Sequence, residues 1–211
     1  MRKIQLVENE YYHIYNRGVD KRKVFLDDFD YQRFLKSMKE FNSKDPIGSL
    51  YEKGFKDKKN NLEAKLPKII EIVCYCLNPN HYHFILKQLK ERGIEKFMQR
   101  IGTGYTKYFN QKYKRSGSLF QGTFKSVRIK PNAFFYLSAY VNCNCEVHGI
   151  AKAEIYRWSS YSDYLGKTKY GLCDKQVVMS EFRGGEDYKK FAKENVEVMR
   201  EKKEFEKILL E

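Results

Sequence analysis

Apolar and polar residues follow two rhythms along this chain, and each change of rhythm marks an element. Residues 11–16, Tyr-Tyr-His-Ile-Tyr-Asn, are rich in β-formers and read as a first strand, ended by Arg17-Gly18. Asp27, Asp28 and Asp30 then open a helix, acidic where the helix dipole favours it, and Phe34, Met38 and Phe41 form its apolar stripe. Ile69 to Leu77 is a nearly continuous apolar run, a second strand. Asn78-Pro79-Asn80 turns the chain into a third strand that begins at His81. From Gly93 to about Tyr113, Ile94, Phe97, Met98, Ile101, Tyr105, Tyr108 and Phe109 keep helical spacing. Gly102 and Gly104 inside that helix each cost roughly 1 kcal/mol relative to Ala, and a close backbone approach is one reason to keep them. Leu119 to Lys130 reads as a fourth strand. Pro131-Asn132 starts a further helix, Ala133 to about Asn144. The order strand, helix, strand, strand, helix, strand, helix predicts an α+β fold, an antiparallel sheet with helices packed on one face, of ferredoxin-like type.

Two stretches break this pattern. Residues 43–67 carry many lysines, Asn60-Asn61, two glycines and a proline near each end, and read as a loop or insertion. Its lysines are expected in solvent, with phosphate contact as the sharper alternative. After Trp158-Ser159-Ser160-Tyr161 the composition becomes polar, and from Glu186 a charged helix is expected. Tyr188, Phe191, Ala192, Asn195 and Met199 lie on one side of it, followed by Phe205, Ile208 and Leu209. This gives a domain over 1–165 and a helical tail over 166–211, the helix docking on the main domain or else gripping DNA or a second copy.

Composition narrows the partner. A chain of 211 residues that is 42% hydrophobic can bury a real core. Lys plus Arg number 41 against 27 Asp plus Glu, a net charge of +14 spread along the sequence, which favours a polyanion such as nucleic acid. Seventeen tyrosines and fifteen phenylalanines add surface on which unpaired bases stack, although most belong in the core. No apolar run nears 18 residues, so no membrane span is expected, and the first residues do not read as a signal peptide. Five cysteines, an odd number, suit a reducing cytoplasm.

The candidate chemistry begins at His81-Tyr82-His83. Side chains alternate along a strand, so the two imidazoles point the same way, roughly 7 Å apart, and can close on one metal ion. Tyr82 points to the other face and packs. Downstream, Tyr140 and Asn144 are four apart and share a helix face. Where that face meets the hairpin, two imidazoles and an amide oxygen make a divalent-metal set with open positions. The Tyr140 phenol is then the candidate nucleophile. A free tyrosine titrates near 10, so it needs a nearby cation or base to attack at neutral pH. His13 could reach this site, but packing is the expectation. Cys74-x-Cys76 and Cys143-x-Cys145 admit a zinc reading, weakened because these are not CxxC knuckles and cysteine packs well as a small core residue. Gly102-x-Gly104 lacks the Gly-Lys-Ser/Thr ending of a phosphate loop.

Six stretches carry a family resemblance. They are Tyr12-His13-Ile14-Tyr15-Asn16-Arg17-Gly18, Phe25-Leu26-Asp27-Asp28, Asn80-His81-Tyr82-His83-Phe84, Leu119-Phe120-Gln121-Gly122-Thr123-Phe124-Lys125-Ser126, Tyr140-Val141-x-x-Asn144 and Trp158-Ser159-Ser160-Tyr161. In this order, across residues 11 to about 165, the chain resembles the single-tyrosine HUH transposases, and most of all the branch associated with repetitive extragenic palindromes. The resemblance implies a ferredoxin-like HUH endonuclease fold. It implies a divalent metal, Mg2+ or Mn2+, held by His81 and His83 with Asn144 as third ligand, and Tyr140 as the nucleophile on single-stranded DNA that contains a hairpin. A 5′-phosphotyrosine and a free 3′-hydroxyl would result, without a nucleotide cofactor. Arg17, Lys125 and Arg128 are weaker candidates for DNA contacts. Family analogy allows a monomer or a homodimer. Cys145 stands where this branch often has proline, which bears on how the helix ends, and Thr123 where it often has a basic residue. The alternative reading is a domesticated, non-cleaving hairpin-binding protein.

Overall fold

The computed structural model describes residues 5–45, 47, 48, 50, 67–167 and 170–208, and the side chains of those up to 202. Most of the lysine-rich 43–67 stretch therefore lies outside the described residues. Four strands, β1 (Tyr11–Arg17), β2 (Ile70–Asn78), β3 (His81–Gln88) and β4 (Lys125–Arg128), form an antiparallel sheet in the order β2-β3-β1-β4. Among the described residues the α-helices are α1 (Asp28–Glu40), α2 (Gly93–Lys112), α3 (Phe134–Asn142), α4 (Asn144–Val147), α5 (Tyr161–Tyr164), α6 (Gln176–Met179) and α7 (Gly185–Ile208). This is the expected α+β architecture.

Helices cover both faces of the sheet, not the single face expected from the sequence. Phe34 and Met38 of α1 and Phe97, Ile101 and Tyr105 of α2 pack on Tyr12, Ile14, Tyr82 and Phe84. On the opposite face, Ala139 and Val141 of α3 and Tyr188, Ala192 and Val196 of α7 pack over Cys74, Cys76 and Ile85. The second layer follows from β2 and β3 being apolar on both sides, as central strands buried on two faces must be. A β-bulge between Ile72 and Cys74 shifts the register of β2. Ile70 and Ile72 face α1 and α2, whereas Cys74, Cys76 and Asn78 come onto the α3 face beside His81 and His83.

Polar anchors lock the first layer. Asp27 caps α1, its carboxylate accepting from the Asp30 amide at 3.0 Å. The fully buried Asp30 carboxylate accepts from the Leu26 amide, the Tyr108 and Tyr113 hydroxyls and Lys112 Nζ, tying α1 to the end of α2. A buried carboxylate with four donors is satisfied and holds its surroundings in one arrangement.

Two elements differ from expectation. The fourth strand is only four residues long. Residues before it turn through Gly122 at φ +65 and touch the sheet in a single bridge, Gly18 to Phe120. The long helix toward Asn144 is broken at Cys143 (φ −103, ψ 15), so Tyr140 lies in the last turn of α3 and Asn144 begins α4. The edge of β2 is covered by the 158–160 segment, whose Trp158 carbonyl accepts from Leu77 and whose Ser160 amide donates to Tyr75.

The two glycines of α2 differ in their surroundings. A Cβ on Gly104 would meet the Phe41 ring at 3.0 Å, the close approach anticipated from the sequence, whereas one on Gly102 would meet nothing within 4 Å. Gly102→Ala should therefore stabilise the protein by up to about 1 kcal/mol through helix propensity, and Gly104→Ala should lose that gain to crowding. Urea denaturation of both variants checks the difference; equal gains would contradict the close contact.

Candidate functional site

β1, β3 and α3–α4 bring the sequence-derived residues together. Tyr15 pairs with His83 and Arg17 with His81 across β1 and β3, so His13, Tyr15, Arg17, His81 and His83 share one sheet face. Tyr140 closes on that face from α3, its ring 5.5 Å from that of His83 and 6.1 Å from that of His13, both edge-on. Asn144, at the start of α4, is fully buried with its Oδ1 3.1 Å from His81 Nε2. A cavity of about 580 Å³ opens here, lined by His81, His83, Tyr140, His148, Tyr15 and Asn16. Its other wall is cationic, with Arg17, Lys21 and Lys125 beside Gln121.

The helix that carries Tyr140 is held by a buried polar chain. Ser160 Oγ donates to Asn142 Oδ1 at 2.6 Å, and Asn142 Nδ2 donates to the Tyr188 hydroxyl at 2.8 Å, which also pairs with Ser138 at 3.1 Å. The backbone amide of Tyr75 donates to Ser160 Oγ at 2.8 Å. This network connects β2, the Trp158-Ser159-Ser160-Tyr161 segment, α3 and α7.

Burial shapes the acid–base properties. His13 is pushed down to about 4 by burial, and His83 is pushed down by burial and then by His13, His81 and His148, so both rings favour the neutral state. Burial raises the Tyr140 phenol above its ordinary value, and a hydrogen bond with Asn144 counters that.

The donor set fits a divalent cation. His81 Nδ1 lies 2.6 Å from Asn80 Oδ1, an atom that can only accept, so the proton is on Nδ1 and the lone pair on Nε2. That lone pair and Asn144 Oδ1 converge on one donor, Asn78 Nδ2, at 2.9 and 2.6 Å. Their 3.1 Å separation is close to the ~3 Å edge of an octahedron built from ~2.1 Å bonds. The cysteines do not offer an equivalent. Cys74, Cys76 and Cys143 are buried with thiols pushed up by desolvation, and among the described residues no group of three or more His, Cys, Asp or Glu is arranged to hold a metal ion.

The structure separates the basic residues named from sequence. Arg17 and Lys125 line the cavity, Arg17 Nε donating to Gln121 Oε1 at 2.5 Å. Arg128 does not enter it: it pairs with Tyr12 in the sheet, on the other parity from Lys125, and its guanidinium is engaged by Glu10. His13, expected to pack, contacts His83 directly, Nε2 to Nδ1 at 2.8 Å. Lys21, Asn78, Gln121 and His148 were not singled out from sequence. Lys21 sits in a tight turn with left-handed Asp20 and Lys21, made possible because Gly18 has no Cβ to strike the Arg22 carbonyl, 2.3 Å away. The parity of β3 and its partners would have flagged Tyr15, but no local signal marks Lys21 or His148.

Residues 55–144 match the family model described as "Transposase IS200 like". The match places this segment in the IS200-like transposase family. Among solved structures, a REP-associated tyrosine transposase bound to a REP hairpin aligns with a TM-score of 0.52 at 16% identity, over 82% of this chain and 96% of that one, and shares its fold. A candidate transposase from Deinococcus radiodurans R1 aligns at 13% identity with a TM-score of 0.37, over 67% of this chain and 95% of that one. No curated protein matches the chain. Among the described residues, no helix is long and apolar enough to cross a membrane.

A pH dependence follows from the histidines. The folded-state value of His13 lies below its ordinary 6.5, so the unfolded chain binds the extra proton between about 6.5 and 4, and stability falls as pH drops through that window. In the presence of a chelator, thermal melts from pH 7 to 4 should show a steeper loss for the wild type than for His13→Gln. Parallel curves would mean that His13 is not held neutral by the fold.

Proposed function

We propose that this protein is a metal-dependent single-strand DNA endonuclease and strand transferase acting on hairpin-containing DNA, with residues 1–165 as the transposase domain and 166–211 as its tail. The observation that carries the reading is the convergence of Tyr140, His81 and His83 on one cavity with a cationic wall, with the buried Asn144 Oδ1 3.1 Å from His81 Nε2. The IS200-like match supports the reaction class, and the related fold bound to a REP hairpin supports the substrate.

In this reading Arg17, Lys21 and Lys125 grip the phosphates flanking the scissile bond, and Tyr15 offers a ring to an adjacent base. Tyr140 gives up its proton and its oxygen attacks the phosphorus. The P–O3′ bond breaks, leaving the 5′-phosphate on Tyr140, and the 3′ oxygen takes up a proton. Because the phosphotyrosine retains the phosphodiester energy, the reverse attack by a 3′-hydroxyl rejoins DNA without a nucleotide cofactor. His81, His83 and Asn144 would hold Mg2+ or Mn2+, which when bound supplies a Lewis acid for the phosphate oxygens and stabilises negative charge in the transition state. Asn144, four residues after Tyr140, counters part of the rise that burial imposes on the phenol.

The test incubates purified protein with labelled single-stranded hairpin DNA from sequence flanking its gene, in Mn2+ or Mg2+. A denaturation-resistant adduct is expected for the wild type and absent for Tyr140→Phe, with hairpin binding kept within a few-fold. His81→Ala and His83→Ala should cut with neither metal. Tight binding without an adduct would favour the non-cleaving hairpin binder, and an adduct that persists in Tyr140→Phe would refute the nucleophile.

Salt dependence tests the cationic wall separately. Affinity for single-stranded hairpin ends should fall steeply with salt, and Lys125→Ala should reduce the log–log slope by about 0.7, the value for one phosphate contact. Fluorescence anisotropy from 50 to 300 mM KCl reads this, and an unchanged slope would remove Lys125 from the interface.

A further inference from the structure

We propose that His13 and Asn80 are positioning residues for the two candidate metal-ligating histidines, each fixing one ring so that its Nε2 is the nitrogen offered to the cation. The inference rests on the metal reading above. It concerns residues outside the ligand set.

A neutral imidazole has one N–H and one lone pair, and a metal takes the lone pair. Which nitrogen carries the proton is set by what the other ring position meets. For His81 the partner is Asn80 Oδ1, 2.6 Å from Nδ1. An amide oxygen cannot donate, so His81 is protonated on Nδ1 and its Nε2 lone pair is committed to the side where Asn144 Oδ1 lies. Asn80 is itself anchored, its Nδ2 donating to the Lys21 carbonyl at 3.2 Å.

For His83 the partner is another imidazole. His13 Nε2 lies 2.8 Å from His83 Nδ1. Two proton arrangements satisfy that contact. If His13 donates, His83 carries its proton on Nε2 and has no lone pair left for a cation. If His83 donates, Nε2 is bare and ready. Cation binding through His83 therefore requires His13 as the acceptor. The rings also restrain each other: His13 and His83 lie 5.0 Å apart at 15°, with Tyr15 5.6 Å from His83 at the same angle. A flipped His83 would present Cδ2 in place of Nδ1 and lose the bond to His13. The pairing register makes this possible, since His13 sits one same-face step along β1 from Tyr15, the residue paired with His83.

The experiment titrates the full-length protein with MnCl2 and follows the free-ion signal by electron paramagnetic resonance. Circular dichroism melts confirm that each variant is folded. Wild type, His83→Ala, His13→Phe, His13→Gln, Asn80→Ala and Asn80→Asp are compared. His13→Phe keeps a flat ring but no acceptor and should weaken Mn2+ binding by about 10- to 100-fold, the usual cost of losing such a partner. His13→Gln places an amide oxygen where Nε2 was and should recover affinity to within a few-fold of wild type. Asn80→Ala and Asn80→Asp should behave as the corresponding losing and rescuing pair.

Wild-type affinity in folded His13→Phe and Asn80→Ala would overturn the proposal. So would an equal weakening in His13→Phe and His13→Gln, because that describes packing and not a hydrogen bond. If the wild type does not bind Mn2+, or His83→Ala binds it equally well, the metal reading itself fails and takes this inference with it. That result differs from the first two, in which the wild type binds and His83→Ala does not.

Discussion

The antiparallel pairing of β1 with β3 is the constraint on which the rest of the site depends. It sets Tyr15 opposite His83 and Arg17 opposite His81, and it determines which side chains of each strand meet α1 and α2 and which meet α3. A slip by one residue would send His13, Tyr15 and Arg17 into the apolar layer and bring Tyr12 and Ile14 to the cavity. Burial on the far face prevents the slip, because Tyr12 and Ile14 are fully buried against α1 and α2. The core thus specifies the chemistry indirectly: hydrophobic packing on one side of the sheet fixes the positions of polar groups on the other.

The bulge in β2 adds a second, less obvious control. Without it, the residues that follow would keep the parity of Ile70 and Ile72 and the Asn78 amide would point into the apolar layer. With it, Asn78 lies between His81 Nε2 and Asn144 Oδ1 and holds two acceptors together that would otherwise repel. The two acceptors of the proposed ligand set are therefore held together by the fold itself. Metal sites gain affinity when the protein bears the ordering cost in advance.

Much of this was legible in the sequence, for identifiable reasons. Strand and helix periodicity located β1, β2, β3, α1 and α2 to within a residue or two, because their apolar stripes are long. The parity of His81 and His83 and the four-residue spacing of Tyr140 and Asn144 placed the central groups correctly, even though Cys143 breaks the helix between them. What was missed depends on tertiary contacts. The fourth strand was overestimated because β-forming residues at 119–124 are turned by Gly122. His13 was assigned to packing because its partner is seventy residues away, and Lys21 enters the cavity through a turn whose shape no local pattern reports. Asn78 and Asn80 were read only as turn formers, since their amides acquire a role once the histidines and Asn144 close around them.

The bond between Asn142 and Tyr188 has a consequence for the order in which the protein is made. The helix that presents Tyr140 rests on α7, whose Tyr188 hydroxyl accepts from Asn142 and pairs with Ser138. A ribosome completes the sheet, both histidines and Tyr140 well before it reaches α7. During that interval the hydroxyl that ties α3 to α7 does not yet exist, and α3 has only the sheet beneath it. Ser160 already holds Asn142 from the β2 side, and Tyr188 adds the second hold once it has emerged and docked. The contact that braces the tyrosine-bearing helix from this side is thus among those the growing chain can make only after the sheet and the 158–160 segment exist.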